Sequence, residues 1–389
     1  MRPRHVALLT AAVVLVALNL RTAVTSVPPI LADLGLSPTR ASLLATLPVA
    51  LFGLVAAAAP ALRRRLGEER AIFCALALLL VGVVARGLWP QAGLFPATVC
   101  ACAGIAVINV LLPSFVRRRF PARVGTMMGL HTMALIAGAT FAAGLTVPVR
   151  EAAGGSNGVA LGVWAIPIAV ALLAWAPLLR EQAGRRPAVK APGAPSLWRS
   201  PLAWQVTLFM GLQSLTYFAP LSWLPTIYRE EGIESVAAGG LLSVFNALGI
   251  VSSLAAPVLA ARMRDQRGAV AATVALTAAG LVGLLVAPGS GALAWAVLLG
   301  LGQGAALSLA LLMIVVRAGD DETAARLSGM AQGVGYTLAA VGPLGVGLLR
   351  AVSGGWTVPL LALLAVVALE LVVGLAAGRD RVVTEAPGE

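Results

Sequence analysis

Apolar stretches of about 20 residues recur along the whole chain, separated by short loops rich in arginine. About 20 residues of α-helix cross the hydrocarbon core of a bilayer, whereas a barrel strand needs about half as many. Inside that core only helices and closed barrels satisfy their own backbone hydrogen bonds. The stretches therefore predict an all-α integral membrane protein. Charged residues make up only 11% of the 389, and apolar ones 59%. A soluble domain carries about 25% charged residues, so that class is excluded. The spans are expected roughly at 6–30, 41–62, 71–89, 93–116, 124–147, 158–180, 202–227, 236–261, 269–288, 291–316, 327–349 and 356–378.

The net charge of +12 comes from arginines in the loops, as the positive-inside rule requires, and not from a nucleic-acid-binding surface. One side of the twelve spans receives 22 basic residues, among them Arg63-Arg64-Arg65 and Arg117-Arg118-Arg119, and the other side five. That asymmetry puts both termini in the cytoplasm. The basic N-terminus ahead of an apolar run imitates a signal peptide, but no small-residue cleavage site follows, and an uncleaved first helix is expected. Cys74, Cys100 and Cys102 lie in apolar stretches without metal-ligand spacing and read as small core residues. No metal site, cofactor or catalytic constellation is expected.

The chain reads as two halves. Residues 1–182 form an N-terminal six-helix bundle and 201–378 a C-terminal one, with a Pro-, Gly- and Arg-rich cytoplasmic linker over 183–200 and a cytoplasmic tail over 379–389. An internal repeat of about 197 residues relates Ala59-Pro60-Ala61-Leu62-Arg63 to Ala256-Pro257-Val258-Leu259-Ala260, and Arg117 to Arg317. Parallel six-helix halves are the sequence trace of a transporter whose halves rock about a central cavity, here lined by spans one, four, five, seven, eight, ten and eleven.

These features resemble the major facilitator superfamily, which implies twelve transmembrane helices in two six-helix pseudo-symmetric bundles. The superfamily's loop motif, Gly-x-x-x-Asp-x-x-Gly-Arg-Arg, is degenerate here as Ala61-Leu62-Arg63-Arg64-Arg65-Leu66-Gly67-Glu68-Glu69-Arg70. It keeps Gly67 and the basic residues but lacks the acidic one. Several segments are similar to the cyanate permease and 2-nitroimidazole transporter family: Asn19-Leu20-Arg21-Thr22-Ala23-Val24, Gly104-Ile105-Ala106-Val107-Ile108-Asn109, Phe209-Met210-Gly211-Leu212-Gln213-Ser214, and Ser328-Gly329-Met330-Ala331-Gln332-Gly333. Members of that family handle small anions or small nitro compounds.

The polar residues within spans supply the candidate substrate site. Arg21 lies about fifteen residues into the first span, where a guanidinium costs at least about 2.5–3.5 kcal/mol to insert. No carboxylate lies at similar depth in the sequence, and a buried cation is a natural seat for an anion. The alternative is a bond to carbonyls freed where Pro28-Pro29 breaks the helix. With Arg21 facing a cavity, Asn19, two residues away, is expected to face a neighbouring helix. His131 reads either as an anion donor or proton carrier, or as a neutral histidine bonded between helices. Asn109 reads as cavity lining or interhelical glue. Gln213 and Tyr217 share one helical face, and Gln332 and Tyr336 repeat their spacing. Their amide and phenol donors suit a small oxygen- or nitrogen-rich solute, and packing is the alternative. Asn246 and Gln303 are further candidates. Glu370, the lone carboxylate well inside a predicted span, is expected to be structural or to face the lipid edge, with a role in coupling as the alternative. Arg86 is expected to snorkel to the outer interface. The glycines Gly300, Gly302, Gly304, Gly329, Gly333 and Gly335 are expected to permit close helix approach.

The expected function is secondary transport of a small monovalent anion across a bacterial-type cytoplasmic membrane by alternating access. The partners would be the anionic solute, a coupling proton or counter-anion, and the lipid around a monomer. No phosphate-binding loop indicates a primary energy source, because Gly302-x-Gly304 lies inside an apolar helix. The alternative is an exporter of small neutral or weakly acidic drugs such as 2-nitroimidazole-like compounds.

Overall fold

The structure, a computed structural model, describes residues 3–27, 30, 34, 38–56, 58–182 and 197–383. Pro28-Pro29, most of the expected linker and the last residues of the expected tail lie outside them. The described residues are helical almost throughout. Helices α1 (Pro3–Thr25), α2 (Pro38–Ala56), α3 (Ala59–Leu66), α4 (Glu68–Leu88), α5 (Leu94–Arg119), α6 (Val124–Ala152), α7 (Asn157–Gly162), α8 (Ala165–Trp175) and α9 (Leu178–Gln182) precede the linker. Helices α10 (Pro201–Glu230), α11 (Ser235–Ala260), α12 (Arg267–Val286), α13 (Ala292–Val316), α14 (Asp321–Ala339), α15 (Val341–Ser353) and α16 (Thr357–Ala377) follow it. Among the described residues, ten helical segments are long and apolar enough to cross a membrane. α2 and α10 occupy the positions expected for spans two and seven without being among those ten.

Local chemistry sets the helix ends. The Ser200 side chain caps α10 by accepting from the Ala203 N–H at 3.3 Å, and Pro201 opens the helix where its missing N–H costs nothing. The Asp320 carboxylate caps α14, accepting from the N–H groups of Glu322 and Thr323 at 2.8 and 2.9 Å. The eleventh expected span is interrupted at Ala340, between α14 and α15. Pro343 accounts for this, since it has no N–H for the carbonyl of Ala339 four residues back. The sixth is likewise divided into α7, α8 and α9.

The chain separates into two compact units, Met1–Arg119 with Ala134–Ala194, and Phe120–Met133 with Pro195–Glu389. The first turns of α6 thus group with the second unit, where Gly125 and Gly129 lie against Pro257 and Leu254 of α11. In the first unit α5 is buried on nearly all sides and packs on α4, α2 and α1. In the second unit α13 holds the same place against α11 and α12. Helices apolar all round belong in such interiors.

Small residues make these contacts close. A side chain at Gly104 would collide with the Ala75 carbonyl and Leu79 of α4, and one at Gly302 with Thr273 and Thr277 of α12. All three residues of the first set precede their counterparts by 198 positions. Gly82 and Gly280, facing Ala101 and Leu299, keep the same offset. The repeat read from the loops therefore extends to individual packing contacts. Gly300 and Gly304 admit α11, at Phe245 and Gly249, and Gly335 meets Gly211 of α10. Of the cysteines, only Cys102 is buried. Cys74 is exposed on α4, contrary to the expected core position, because it falls on the face of the helix turned away from the unit.

Candidate substrate site

In the first unit the candidates start from the end of α1. Asn19 is fully buried, and its amide nitrogen donates to the carbonyls of Leu15 at 2.8 Å and of Pro167, at α8, at 3.1 Å. Residues two apart on a helix lie on nearly opposite faces, so Arg21, which is half-buried, is carried on the other side of α1 from that contact. Thr25 bonds back to the Arg21 carbonyl at 2.9 Å, one turn before α1 ends. Asn109, the other candidate in this unit, is buried in α5.

Arg86 does not snorkel. It is fully buried, and its guanidinium donates to the Ala23 carbonyl at 2.6 Å and to the Ser26 hydroxyl at 3.3 Å. The last carbonyls of a helix have no intrahelical partner, and a cation there meets both that need and the negative end of the helix dipole. Pro28 and Pro29, which cannot donate, signal in the sequence free carbonyls at Val24 and Thr25, next to Ala23. Arg86 of α4 takes one such carbonyl at the end of α1.

The remaining candidates belong to the second unit. His131 is 2% exposed, and its Nδ1 has no hydrogen-bond partner among the described residues. The Gln213 amide nitrogen donates within α10, to the Met210 carbonyl at 3.0 Å and the Ser214 hydroxyl at 2.7 Å. Its buried carbonyl oxygen accepts no bond among the described residues. The Tyr217 ring lies 5.8 Å from that of Phe245 on α11, next to Asn246, whose amide bonds the Leu242 carbonyl at 3.0 Å. On α14, Gln332 donates to Ser328 at 2.9 Å, and Tyr336 is buried one turn further on. Gly211 of α10 meets Gly335 of α14 and the Leu215 carbonyl meets Gly342 of α15, so the Gln213–Tyr217 stretch lies beyond the Gln332–Tyr336 stretch, toward α15. Gln303 stands apart from them. It is fully buried and reaches toward Thr277 of α12 at 3.5 Å.

Glu370 and Thr216 form a pair that the sequence does not declare. Glu370 is 2% exposed, not at the lipid edge, and accepts from the Thr216 hydroxyl of α10 at 3.0 Å. Span periodicity could not show that α16 turns this face inward, because α16 is apolar on every side.

The degenerate loop also finds its acids. Glu68 and Glu69, which follow Gly67, are almost fully buried. Arg118 pairs with Glu68 at 2.7 Å and with Glu69 at 2.8 Å, Arg119 pairs with Glu69 at 3.0 Å, and Ser114 donates to Glu68.

Comparison with known proteins agrees with this architecture. Residues 9–343 match the model of the Major Facilitator Superfamily. An uncharacterized transporter of Bacillus subtilis, YycB, is 39% identical over 96% of this chain and 94% of its own length. The 2-nitroimidazole transporter of Escherichia coli is 36% identical over 96% of both chains. The Escherichia coli cyanate transport protein CynX is 32% identical over 88% of this chain and 90% of its own. Among solved structures, the proton:xylose symporter XylE shares the fold with a TM-score of 0.79 over 98% of both chains, at 12% identity. The chain belongs to the Major Facilitator Superfamily and is a multi-pass membrane transporter, not an enzyme.

Proposed function

We propose that this transporter moves a small monovalent anion, cyanate-like or a small carboxylate or oxyanion, across the bacterial cytoplasmic membrane by alternating access. Both termini lie in the cytoplasm, on the side that receives the arginine-rich loops. The chain acts as a monomer of twelve spans arranged as six and six. The observation that carries this reading is a half-buried arginine within a membrane helix, on the side of α1 opposite the Asn19–Pro167 contact. Arg21 supplies the charge for the anion, and Asn109, His131, Gln213, Tyr217, Asn246, Gln303, Gln332 and Tyr336 supply donors and acceptors that replace its hydration. The relative that carries cyanate supports a small anion as cargo.

A second reading has its own support. The relative named for 2-nitroimidazole is somewhat more similar, at 36% identity, which favours export of a small neutral or weakly acidic drug. Substitution at Arg21 separates the two. A ligand that binds only the folded state raises its melting temperature. Cyanate should stabilise the purified wild type, stabilise Arg21→Lys less, and leave Arg21→Gln unmoved, because losing one partner of a buried charged contact costs roughly 2–5 kcal/mol. Lysine keeps the charge but not the planar fork of donors. An equal cyanate shift in wild type and Arg21→Gln would reject the anion reading. A 2-nitroimidazole shift that survives Arg21→Gln would promote the second.

A further inference from the structure

Glu370, Thr216 and Pro220 form one continuous arrangement within the second unit. The Thr216 hydroxyl lies 3.0 Å from a Glu370 carboxylate oxygen and 3.1 Å from the Gln213 carbonyl on its own helix. A hydroxyl has one proton to give, so Thr216 can donate to only one of these acceptors at a time. An ionised carboxylate only accepts. With Glu370 ionised, Thr216 therefore donates to it, across to α16. With Glu370 protonated, the acid O–H donates to the Thr216 oxygen, and the Thr216 proton turns to the Gln213 carbonyl. The charge on Glu370 thus selects between a bond joining two helices and a back-bond within α10.

That choice falls one turn before Pro220, the first of two prolines inside α10. Pro220 lies inside α10 and has no N–H for the Thr216 carbonyl four residues before it. Prolines and inserted side-chain bonds are the ordinary causes of helix kinks, and threonine back-bonds bend helices. The stretch between Gln213 and Pro220 carries two of the substrate-site candidates, Gln213 and Tyr217. A change of bend here moves both.

Among the described residues, no other charged side chain contacts Glu370. α16 packs against α10, α12 and α15. On α10, Tyr217 stacks on Phe245, Tyr228 donates to the Ala292 carbonyl, and Arg229 and Glu230 sit at the helix end. Arg267 opens α12 beside Gly378, and Arg350 of α15 pairs with Glu230. Arg317 bonds the Ala377 and Gly378 carbonyls, at the end of α16. The carboxylate is buried with the Thr216 hydroxyl as its partner, and it gains most from being neutral when that hydroxyl turns away.

We propose that Glu370 is a proton-binding site whose occupancy sets the direction of the Thr216 hydrogen bond and with it the bend of α10 at Pro220. Protons are then the coupling ion of this transporter. The proposal rests on the transport reading above, and its test keeps the two separable.

The full chain is reconstituted in liposomes, and 2-nitroimidazole and cyanate are offered under a gradient of one pH unit in each direction. One proton per solute sustains about tenfold accumulation across such a gradient. Wild type should accumulate one probe under one gradient direction. Glu370→Gln should exchange that probe without a gradient yet lose the accumulation. Accumulation by Glu370→Gln equal to wild type would overturn the proposal. Thr216→Val, which keeps the volume and the carboxylate, should flatten the pH dependence of exchange, and an unchanged dependence counts against the switch. A second measurement needs no solute. Infrared difference spectra of the protein in nanodiscs, acid minus alkaline, should contain a protonated-carboxyl band that Glu370→Gln abolishes and Thr216→Val shifts. If neither probe is transported by wild type, the transport reading fails on those solutes and the infrared band alone decides. A band unaltered in both variants overturns the proposal, and it can be read from Thr216→Val even if Glu370→Gln does not fold.

Discussion

The two units solve the same packing problem with different polar chemistry. At the end that carries the arginine-rich loops, α4 and α5 of the first unit are joined by carboxylates and arginines, Glu68 and Glu69 with Arg118 and Arg119. At the position 198 residues after Glu68 stands Gln266, and after Arg119 stands Arg317. There Arg317 donates to the Gln266 amide oxygen and, at 3.0 Å each, to the carbonyls of Ala377 and Gly378. The last span of each unit is tied in as well. Trp175 donates to the Glu69 carbonyl at 3.0 Å, and the Gln266 N–H donates to Gly378 at 2.9 Å. At the opposite helix ends the chemistry is exchanged. Arg150 bonds the Asn157 amide oxygen at 2.7 Å in the first unit, while Arg350 pairs with Glu230 at 2.7 Å in the second. A duplicated backbone geometry therefore tolerates ionic or amide partners, provided that each arginine keeps its acceptors.

The largest expected effect tests that exchange where it is most buried. Glu69→Ala removes the acceptor that Arg118 and Arg119 share, leaving Arg118 its pair with Glu68, and breaking a buried ion pair costs about 3–5 kcal/mol. Gln266→Ala leaves Arg317 its two backbone carbonyls and should cost about 1–3 kcal/mol. Thermal unfolding of both variants in one detergent measures the difference. Equal losses would mean that the carboxylates are not what distinguishes the first unit.

Arg86 sharpens the comparison from inside the membrane. Its counterpart 198 residues later is Leu284, which lines an apolar recess with Leu224, Ile227 and Leu281. The first unit thus uses a charge to close the end of α1 where the second uses packing. Arg86→Leu makes the first unit like the second but leaves the Ala23 carbonyl and the Ser26 hydroxyl only their long bond to each other, at 3.4 Å. A loss of about 1–3 kcal/mol is expected for those groups, reduced by relief of a buried charge. It should be accompanied by a weaker cyanate shift, since Arg21 sits on the same last turns of α1. An Arg86→Leu protein as stable as wild type would show that α1 is held otherwise.

Much of this was legible in the sequence, and the limits have physical causes. The length and spacing of apolar stretches were enough for the helical membrane fold, because the bilayer leaves the backbone few alternatives. The repeat was visible in loop residues such as Arg117 and Arg317, and its reach into packing follows from glycines that no other residue can replace. Arg21 stood out because charge inside a membrane is expensive. Arg86 is equally expensive, yet its place near a span end invited the snorkelling reading. Its partner is a backbone carbonyl, to which side-chain patterns are blind. Glu370 was visible as a residue but not as a contact, because an all-apolar helix does not declare which face it buries. The acids of the loop motif were in plain view as Glu68 and Glu69, displaced past Gly67 from where the motif expects one.

The smallest expected effect lies at the opposite helix ends, and it carries a pH signature. Glu230 accepts hydrogen bonds from Arg350 at 2.7 Å and from the Trp356 indole at 2.8 Å, and these hold its carboxyl below the ordinary value. A carboxyl whose folded value is depressed binds its proton more readily when unfolded. Its contribution is therefore fully present above the ordinary glutamate value of about 4.3 and is lost as the pH falls through the lower folded one. The Arg150–Asn157 bond of the first unit has no carboxylate and makes no such step. Because Glu230 is well exposed, water and salt screen the pair, and less than about 1 kcal/mol is expected. Glu230→Gln turns this corner into a copy of Arg150–Asn157. Melting temperatures of wild type and Glu230→Gln should differ slightly at neutral pH and converge below the ordinary glutamate range. A difference that persists unchanged into acid would assign the effect to packing on Trp356, whose ring also lies 5.1 Å beneath the Arg350 guanidinium, rather than to charge.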